Sequence, residues 1–331
     1  TINAKKWLKL GLNLAGSTSK QDYPQSEDSQ VSNVANFGRN IPSFYPIYER
    51  NDDGSYKLDL SGNKVIDYGA YRPSAVNPRT NLIGTAYLDK SQIQKDDISL
   101  RSFFEASILS NLKLKTSYSV DYSGRNDVYY SNPSFGESAE IKGSVQRDNY
   151  RTFSWTLNNV LTYDKLIGTQ HHINLLAGQE LYDYNWRYTT GTRQGFVLPG
   201  LEEPDAASQL NDFSGYSNNY KLLSFFGKAE YDFQQKYYFS GSLRADGTSR
   251  FSPQSRWGTF WSLGASWKAK QESFLEPISW LDVLTFKASY GAQGNDNLGY
   301  YYAYEGLYTV ANNLGEGGAY TLRLATPNLK W

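Results

Sequence analysis

The chain has 331 residues, a formal net charge of zero, no Cys and no Met. Neutrality removes the basic field that a nucleic-acid partner requires, and the lack of Cys removes disulfides, thiol chemistry and Cys-ligated metals. Mean hydropathy is −0.61. No run of about 18 apolar residues occurs, which excludes a transmembrane helix but not a transmembrane barrel, whose strands alternate.

The 28 Tyr, 16 Phe and 8 Trp suit pleated surfaces and boundaries between water and an apolar phase. The chain opens Thr1-Ile2-Asn3 and is expected to be a piece cut from a longer protein, so its start says nothing about targeting.

In chain order the dominant signal is a period of two. Leu8, Leu10, Leu12 and Leu14 alternate with Lys9, Gly11 and Asn13. A long polar connection, 17–97, comes next; within it Ser55 to Asp59 and Lys64 to Tyr68 predict a small hairpin turning at Ser61-Gly62-Asn63. Asn51-Asp52-Asp53-Gly54 lacks the spacing and downstream Glu of a helix-loop-helix calcium site and reads as a turn. Next, Ile98, Leu100, Phe104, Ala106 and Ile108 oppose Arg101 and Glu105, and Leu112, Leu114, Tyr118, Val120 and Tyr122 oppose Lys113, Lys115 and Asp121. Only Ser110-Asn111 separates these two strands.

A second long connection is expected from Asp121 to Asn149, and a third from Arg187 to Asn219. Between them, His171 and His172 come directly after the turn Gly168-Thr169-Gln170. Neighbouring strand residues point to opposite faces, which argues against shared metal ligation, and no metal or other cofactor is expected. Glu202, Glu203 and Asp205 form an acidic group; paired carboxylates can hydrolyse glycosides, but nothing fixes their separation and a solvated loop face accounts for them. No nucleophile-elbow or phosphate-loop pattern occurs, so no enzyme is expected. Tyr129, Tyr130, Phe135, Tyr184, Trp186, Phe196, Phe213 and Tyr216 are placed on the long loops. Of these, Tyr129, Tyr130, Trp186, Phe213 and Tyr216 are candidates to stack on sugar; packing of loop on loop explains them as well.

Leu223, Phe225, Ala229, Tyr231 and Phe233 then oppose Lys228, Glu230 and Asp232, and a tight turn at Gln234-Gln235 leads to Tyr237, Phe239, Leu243 and Ala245. The strand Trp257, Thr259, Trp261, Leu263, Ala265, Trp267 comes after it, then Leu284, Phe286, Ala288, Tyr290. Alternation alone also fits a soluble sandwich. Two features favour a membrane. Trp257 and Trp267 share a face ten residues apart, about 33 Å along a strand and roughly 25 Å in height at a tilt of about 40°, the height of an outer-membrane apolar band. Short turns also alternate with long loops, as periplasmic turns do with extracellular loops. The expected fold is all-β: an antiparallel transmembrane β-barrel, of which the chain supplies about 10–11 strands.

The last quarter adds a resemblance. Ser242-Leu243-Arg244-Ala245-Asp246-Gly247-Thr248-Ser249-Arg250-Phe251, then Arg256-Trp257-Gly258-Thr259-Phe260, Trp280-Leu281-Asp282, Phe286-Lys287-Ala288-Ser289-Tyr290-Gly291, Gly294-Asn295 and Pro327-Asn328-Leu329-Lys330-Trp331 resemble the SusC/RagA family of TonB-dependent outer-membrane transporters. The resemblance implies residues 1–331 as part of one barrel domain of 22 strands, with the plug domain and remaining strands absent. It further implies import of an oligosaccharide, or a peptide, across the outer membrane of a Gram-negative bacterium. The TonB complex would energise the plug and a SusD-like surface lipoprotein would cap the barrel. Asp246-Gly247 reads as a turn needing positive φ. Arg244, Asp246, Arg250 and Arg256 read as a charge network at the rim. The alternatives are a soluble or surface-attached carbohydrate-binding β-protein and a passive porin.

Overall fold

The structure, a computed structural model, describes residues 1–23, 39, 44–69, 81–198 and 200–331. Ten strands form one antiparallel sheet in strict sequence order: β1 (Ile2–Lys5), β2 (Leu8–Asp22), β3 (Lys90–Leu109), β4 (Leu112–Ser131), β5 (Ser144–Ile167), β6 (His171–Phe196), β7 (Ala207–Phe233), β8 (Tyr237–Thr248), β9 (Trp257–Lys268) and β10 (Thr285–Ala292). Its two edge strands do not pair with each other, so the sheet is an open sector of barrel wall. β11 (Leu307–Asn313) and β12 (Glu316–Arg323) form a separate hairpin.

The cross-strand register turns the alternation into two faces. Leu175, Ala229, Phe239, Ala265 and Phe286 lie on one, within the paired rows Leu175↔Ala229, Tyr231↔Phe239↔Ala265 and Trp267↔Phe286. Leu263 and Tyr290, a register pair on this face, are 61% and 76% exposed. An apolar surface so bare needs a covering apolar phase, and lipid supplies one along a whole sheet face. A shallow outer groove lined by Leu175, Tyr231, Leu263 and Tyr290 backs onto an inner groove lined by His172, Glu230, Asp232 and Lys287. The charged residues sit inside because Arg or Lys on the lipid face costs about 2–4 kcal/mol at midplane.

The strands outrun the membrane. β7 has 27 residues, about 90 Å at 3.3 Å each, whereas its continuous outward apolar run stops at Leu223, with Phe213 alone beyond it. Beyond the pair Leu181↔Leu223 comes Asp183↔Lys221, bridged at 3.1 Å. This corrects the expected loops. The connections are 132–143 and 197–206, and the first runs from Tyr23 to Asp89, because the ladders continue to Asp22, Ser131 and Phe196. Above the lipid both faces meet water, so alternation fades while the backbone still pairs.

Turn chemistry is visible at both ends. Gln234 and Gln235 both adopt left-handed φ, 54° and 55°, and the Lys236 amide donates to the Phe233 carbonyl at 3.0 Å. This is a type I′ turn, whose twist matches the flanking strands, with Lys236 as one further residue before the pair Phe233↔Tyr237. Asp246-Gly247, expected as a turn, instead lies inside β8. A Cβ on Gly247 would meet the Trp257 ring at 2.9 Å, so this glycine makes room for an aromatic ring laid across the strand.

At the outer end, Tyr48↔Ile66, Arg50↔Tyr56 and Leu58↔Lys64 form antiparallel bridges. Helix α1 (Leu82–Leu88) is capped by Asn81, whose Oδ1 accepts from the Ile83 and Gly84 amides while its Nδ2 donates to the carbonyls of Ile47 and Asp67. Tyr68 stacks on Phe135 with ring centroids 3.8 Å apart, and burial pushes its hydroxyl up to about 12. Tyr130, Val145, Phe196 and Ala207 make a small buried core beside these connections.

Candidate functional site

The inner face divides into a polar lower wall and an aromatic upper wall. On the lower wall Arg244 of β8 donates through Nε to Asp246 at 2.7 Å and through Nη2 to Glu180 at 3.1 Å and Ser224 at 2.9 Å. Three adjacent strands thus supply one guanidinium with acceptors.

Of the four residues expected as one rim network, only Arg244 and Asp246 pair with each other, and Arg250 and Arg256 each bond elsewhere. Arg250 lies between the rings of Tyr220 and Tyr301, 4.7 and 5.1 Å from their centroids, and donates to the Asn297 side chain at 2.9 Å. Asp296 accepts from the Tyr220 and Thr248 hydroxyls, each at 2.7 Å. Segment 293–302 is thereby strapped to the inner wall, with Tyr301 stacked on Tyr184. Among the described residues Arg256 forms no ion pair with the other three. Its carbonyl accepts from the Trp331 indole at 2.8 Å. Two sequence blocks more than 40 positions apart, Thr248-Ser249-Arg250 and Asn295-Asp296-Asn297, therefore meet as one structural unit. No local pattern announces that meeting.

Higher up, alternate residues of β5, β6 and β7 place rings side by side on the inner face. Tyr150 stacks on Tyr188 at 4.8 Å. Trp186 lies 5.2 Å from Tyr216 and 6.1 Å from Tyr188, and Tyr182 packs edge-on against Tyr220. The register makes this unavoidable, since Tyr150↔Tyr188↔Tyr216 is one paired row. Tyr216 is 60% exposed.

The structure separates the five sequence candidates for ligand contact. All five lie on strands, not loops, because the ladders continue above the lipid. Trp186 and Tyr216 join the inner aromatic belt. Tyr129 shares the inner face and packs edge-on against Tyr23. Tyr130 points the other way and is 2% exposed, against Phe196. Phe213 pairs with Gly191 and is exposed on the outward side. Tyr150 and Tyr188 were missed by sequence reasoning; their shared parity with Trp186 was the available signal.

The remaining polar groups are engaged structurally. His172 meets Asp232 at 2.9 Å through Nδ1 and Asp164 at 3.1 Å through Nε2, while His171 turns to the Tyr231 hydroxyl on the other face. Asp53 accepts from the Ser55 hydroxyl and amide, and these bonds hold its carboxyl below its usual range. Glu202, Glu203 and Asp205 each face a different cation, Lys90 at 2.6 Å, Arg147 at 3.0 Å and Arg193 at 3.7 Å. The acidic group is a set of ties between one connection and three strands.

Trp257 and Trp267 stand at the two ends of β9 on its outward face. Trp257 stacks on Phe225 and Trp267 on Phe286.

Comparison with known proteins agrees with this architecture. The family model for the TonB dependent receptor-like β-barrel matches residues 13–331. The TonB-dependent receptor SusC of Bacteroides thetaiotaomicron is 30% identical over 69% of the chain and 23% of its own length. The TonB-dependent receptor P3 of Formosa agariphila is 25% identical over the whole chain and 32% of its own length. The RagAB peptide importer in its closed-closed state superposes with a TM-score of 0.81 at 23% identity, over 99% of this chain and 35% of that one. The chain thus spans about a quarter to a third of the length of these relatives.

Proposed function

Because this chain belongs to the TonB dependent receptor-like β-barrel family, we propose that it forms part of the wall of an active nutrient importer of the Gram-negative outer membrane, and that the nutrient is an oligosaccharide. The observation that carries the substrate class is the belt Tyr150, Trp186, Tyr188, Tyr216 on the inner face above the apolar band. Flat, half-buried rings with polar neighbours suit the apolar faces of sugars, which then release ordered water without demanding a counter-charge. Below them the wall carries Arg244, Glu180 and Asp246 already paired among themselves, and such a surface suits a plug that must seat and release. A TonB complex acting on that plug supplies the energy, and a SusD-like lipoprotein closes the top. Trp257 and Trp267 mark the two membrane interfaces. The work is gated passage, with no covalent chemistry.

The test is binding of neutral oligosaccharides of differing linkage to the purified whole transporter, by calorimetry, with oligopeptides in parallel. Trp186→Ala and Tyr216→Ala are each expected to cost about 1 kcal/mol or more, at least fivefold in affinity, and Trp186→Phe to restore most of it. Peptide binding with no oligosaccharide binding, or oligosaccharide affinity unchanged in both alanine variants, overturns the reading.

A further inference from the structure

The connection between β9 and β10, 269–284, departs from the short turns at that end of the wall. Its conformation is fixed from within. The Lys270 ammonium donates to the carbonyls of Leu275, Glu276 and Ile278 at 3.1, 3.1 and 2.7 Å. These bonds consume carbonyls that a loop in water would leave to solvent. It is also tied to a definite place. Glu272 Oε1 accepts from the Trp267 indole at 3.0 Å and from the Tyr237 hydroxyl, and Oε2 from Lys236 at 3.2 Å. Trp267 and Tyr237 are a register pair on the outward apolar face, at its lower margin. The connection is therefore fastened to the lipid side of the wall. Its side chains are wrong for open water: Phe274, Trp280 and Val283 are 66%, 82% and 76% exposed.

We infer that 269–284 is a membrane foot. Phe274, Trp280 and Val283 dip into the headgroup zone of the inner leaflet, with Glu272 as the latch to the aromatic margin. Continuity decides the occupant. The same bonds that hold the foot also hold Trp267 and Tyr237, whose rings border the lipid-facing rows ending at Phe286 and Phe239. Trp at such a boundary keeps its indole N–H bonded while its ring meets acyl chains. The foot would fix the height of the wall against a leaflet that short turns grip weakly.

The experiment is site-directed spin labelling of the whole transporter, in a background without other cysteines, reconstituted in phosphatidylethanolamine–phosphatidylglycerol vesicles. Nitroxides go on Phe274→Cys and Val283→Cys, with Leu263→Cys as the lipid reference and Asn111→Cys as the water reference. The ratio of oxygen to nickel-chelate accessibility is expected to be several-fold above the Asn111 value and below the Leu263 value. Glu272→Gln is expected to raise label mobility and bring the ratio toward the water reference. A ratio equal to that at Asn111 shows a foot in water and overturns the inference. Labels shielded from both reagents show a foot packed on protein, the plug included, and overturn it equally. An unchanged ratio in Glu272→Gln removes the latch.

Discussion

Replacing Leu263 with Arg tests the facing of the entire wall at one atom's depth. Leu263 sits four residues above Trp267 on the same outward row of β9, about 13 Å along the strand at 3.3 Å per residue. At a tilt of about 40° that is about 10 Å above the lower Trp, close to the middle of a band about 25 Å tall. Its side chain is 61% exposed, with no carboxylate facing it across the pairs Gly241 and Tyr290. A guanidinium there costs about 2–4 kcal/mol. The folding midpoint in urea falls by that free energy divided by the slope of the transporter's own unfolding curve. Ser262→Arg is the internal control. It is the adjacent residue, on the inner face, bonded only to the Ser242 hydroxyl at 2.7 Å, and its replacement should cost about 1 kcal/mol or less. The assay is urea-dependent folding of the whole transporter into vesicles, read as heat-modifiable mobility on gels. Equal midpoints for the two variants, or a larger loss for Ser262→Arg, would refute the assignment of faces.

Gly247→Ala places a methyl 2.9 Å from the Trp257 ring and should destabilise by about 1–3 kcal/mol. Adding Trp257→Ala should recover part of the loss in a double-mutant cycle, whereas strict additivity would show that the ring is not the obstacle. Gln235→Gly removes one left-handed non-glycine residue from the β7–β8 turn and should raise the urea midpoint by the equivalent of about 1 kcal/mol; a lowered midpoint would argue against the type I′ geometry. Asp296→Ala strips the Tyr220 and Thr248 hydroxyls of their acceptor and should make 293–302 the first site of limited proteolysis, with the barrel itself still heat-modifiable. Glu272 is held below its ordinary value first by the Tyr237 hydroxyl, then by Trp267. Its latch is thus fully present above the ordinary glutamate range and is lost as pH falls through the lowered folded value. Labels at position 274 should loosen only in that acid window, and Glu272→Gln should abolish the transition.

Strand existence and facing were legible because membrane strands must alternate: the lipid face excludes charge, so charged residues fall on the inner parity. Leu8 to Leu14, Phe225 to Phe233 and Trp257 to Trp267 all read correctly for that reason. Strand ends were not legible. Asp183, Asn185 and Arg187 on β6 face outward like Leu181 before them, and they carry the same ladder. Their polarity marks the top of the lipid, not the end of pairing. Reading polarity as a loop moved Tyr129, Trp186 and Tyr216 off their strands and hid the row Tyr150, Tyr188, Tyr216, which only a register brings together.

The same limit explains why the motif blocks of the last quarter looked like independent signatures. Thr248 is the last residue of β8, Arg250 stands two residues beyond it, and Asp296 stands four residues past β10. β9 separates them in the sheet, yet the Thr248 hydroxyl and the Asp296 carboxylate are 2.7 Å apart. The reason is geometric. Strands β8 and β10 both run toward the outer end, so the segments leaving them emerge at the same height, and a segment that folds inward from one must cross the other. The residues that make this crossing are a half-buried carboxylate, two hydroxyls and a guanidinium between two rings. Each would be costly if left alone. A block of sequence that seems to specify a turn is thus half of a contact, and its partner lies on the next strand that runs the same way.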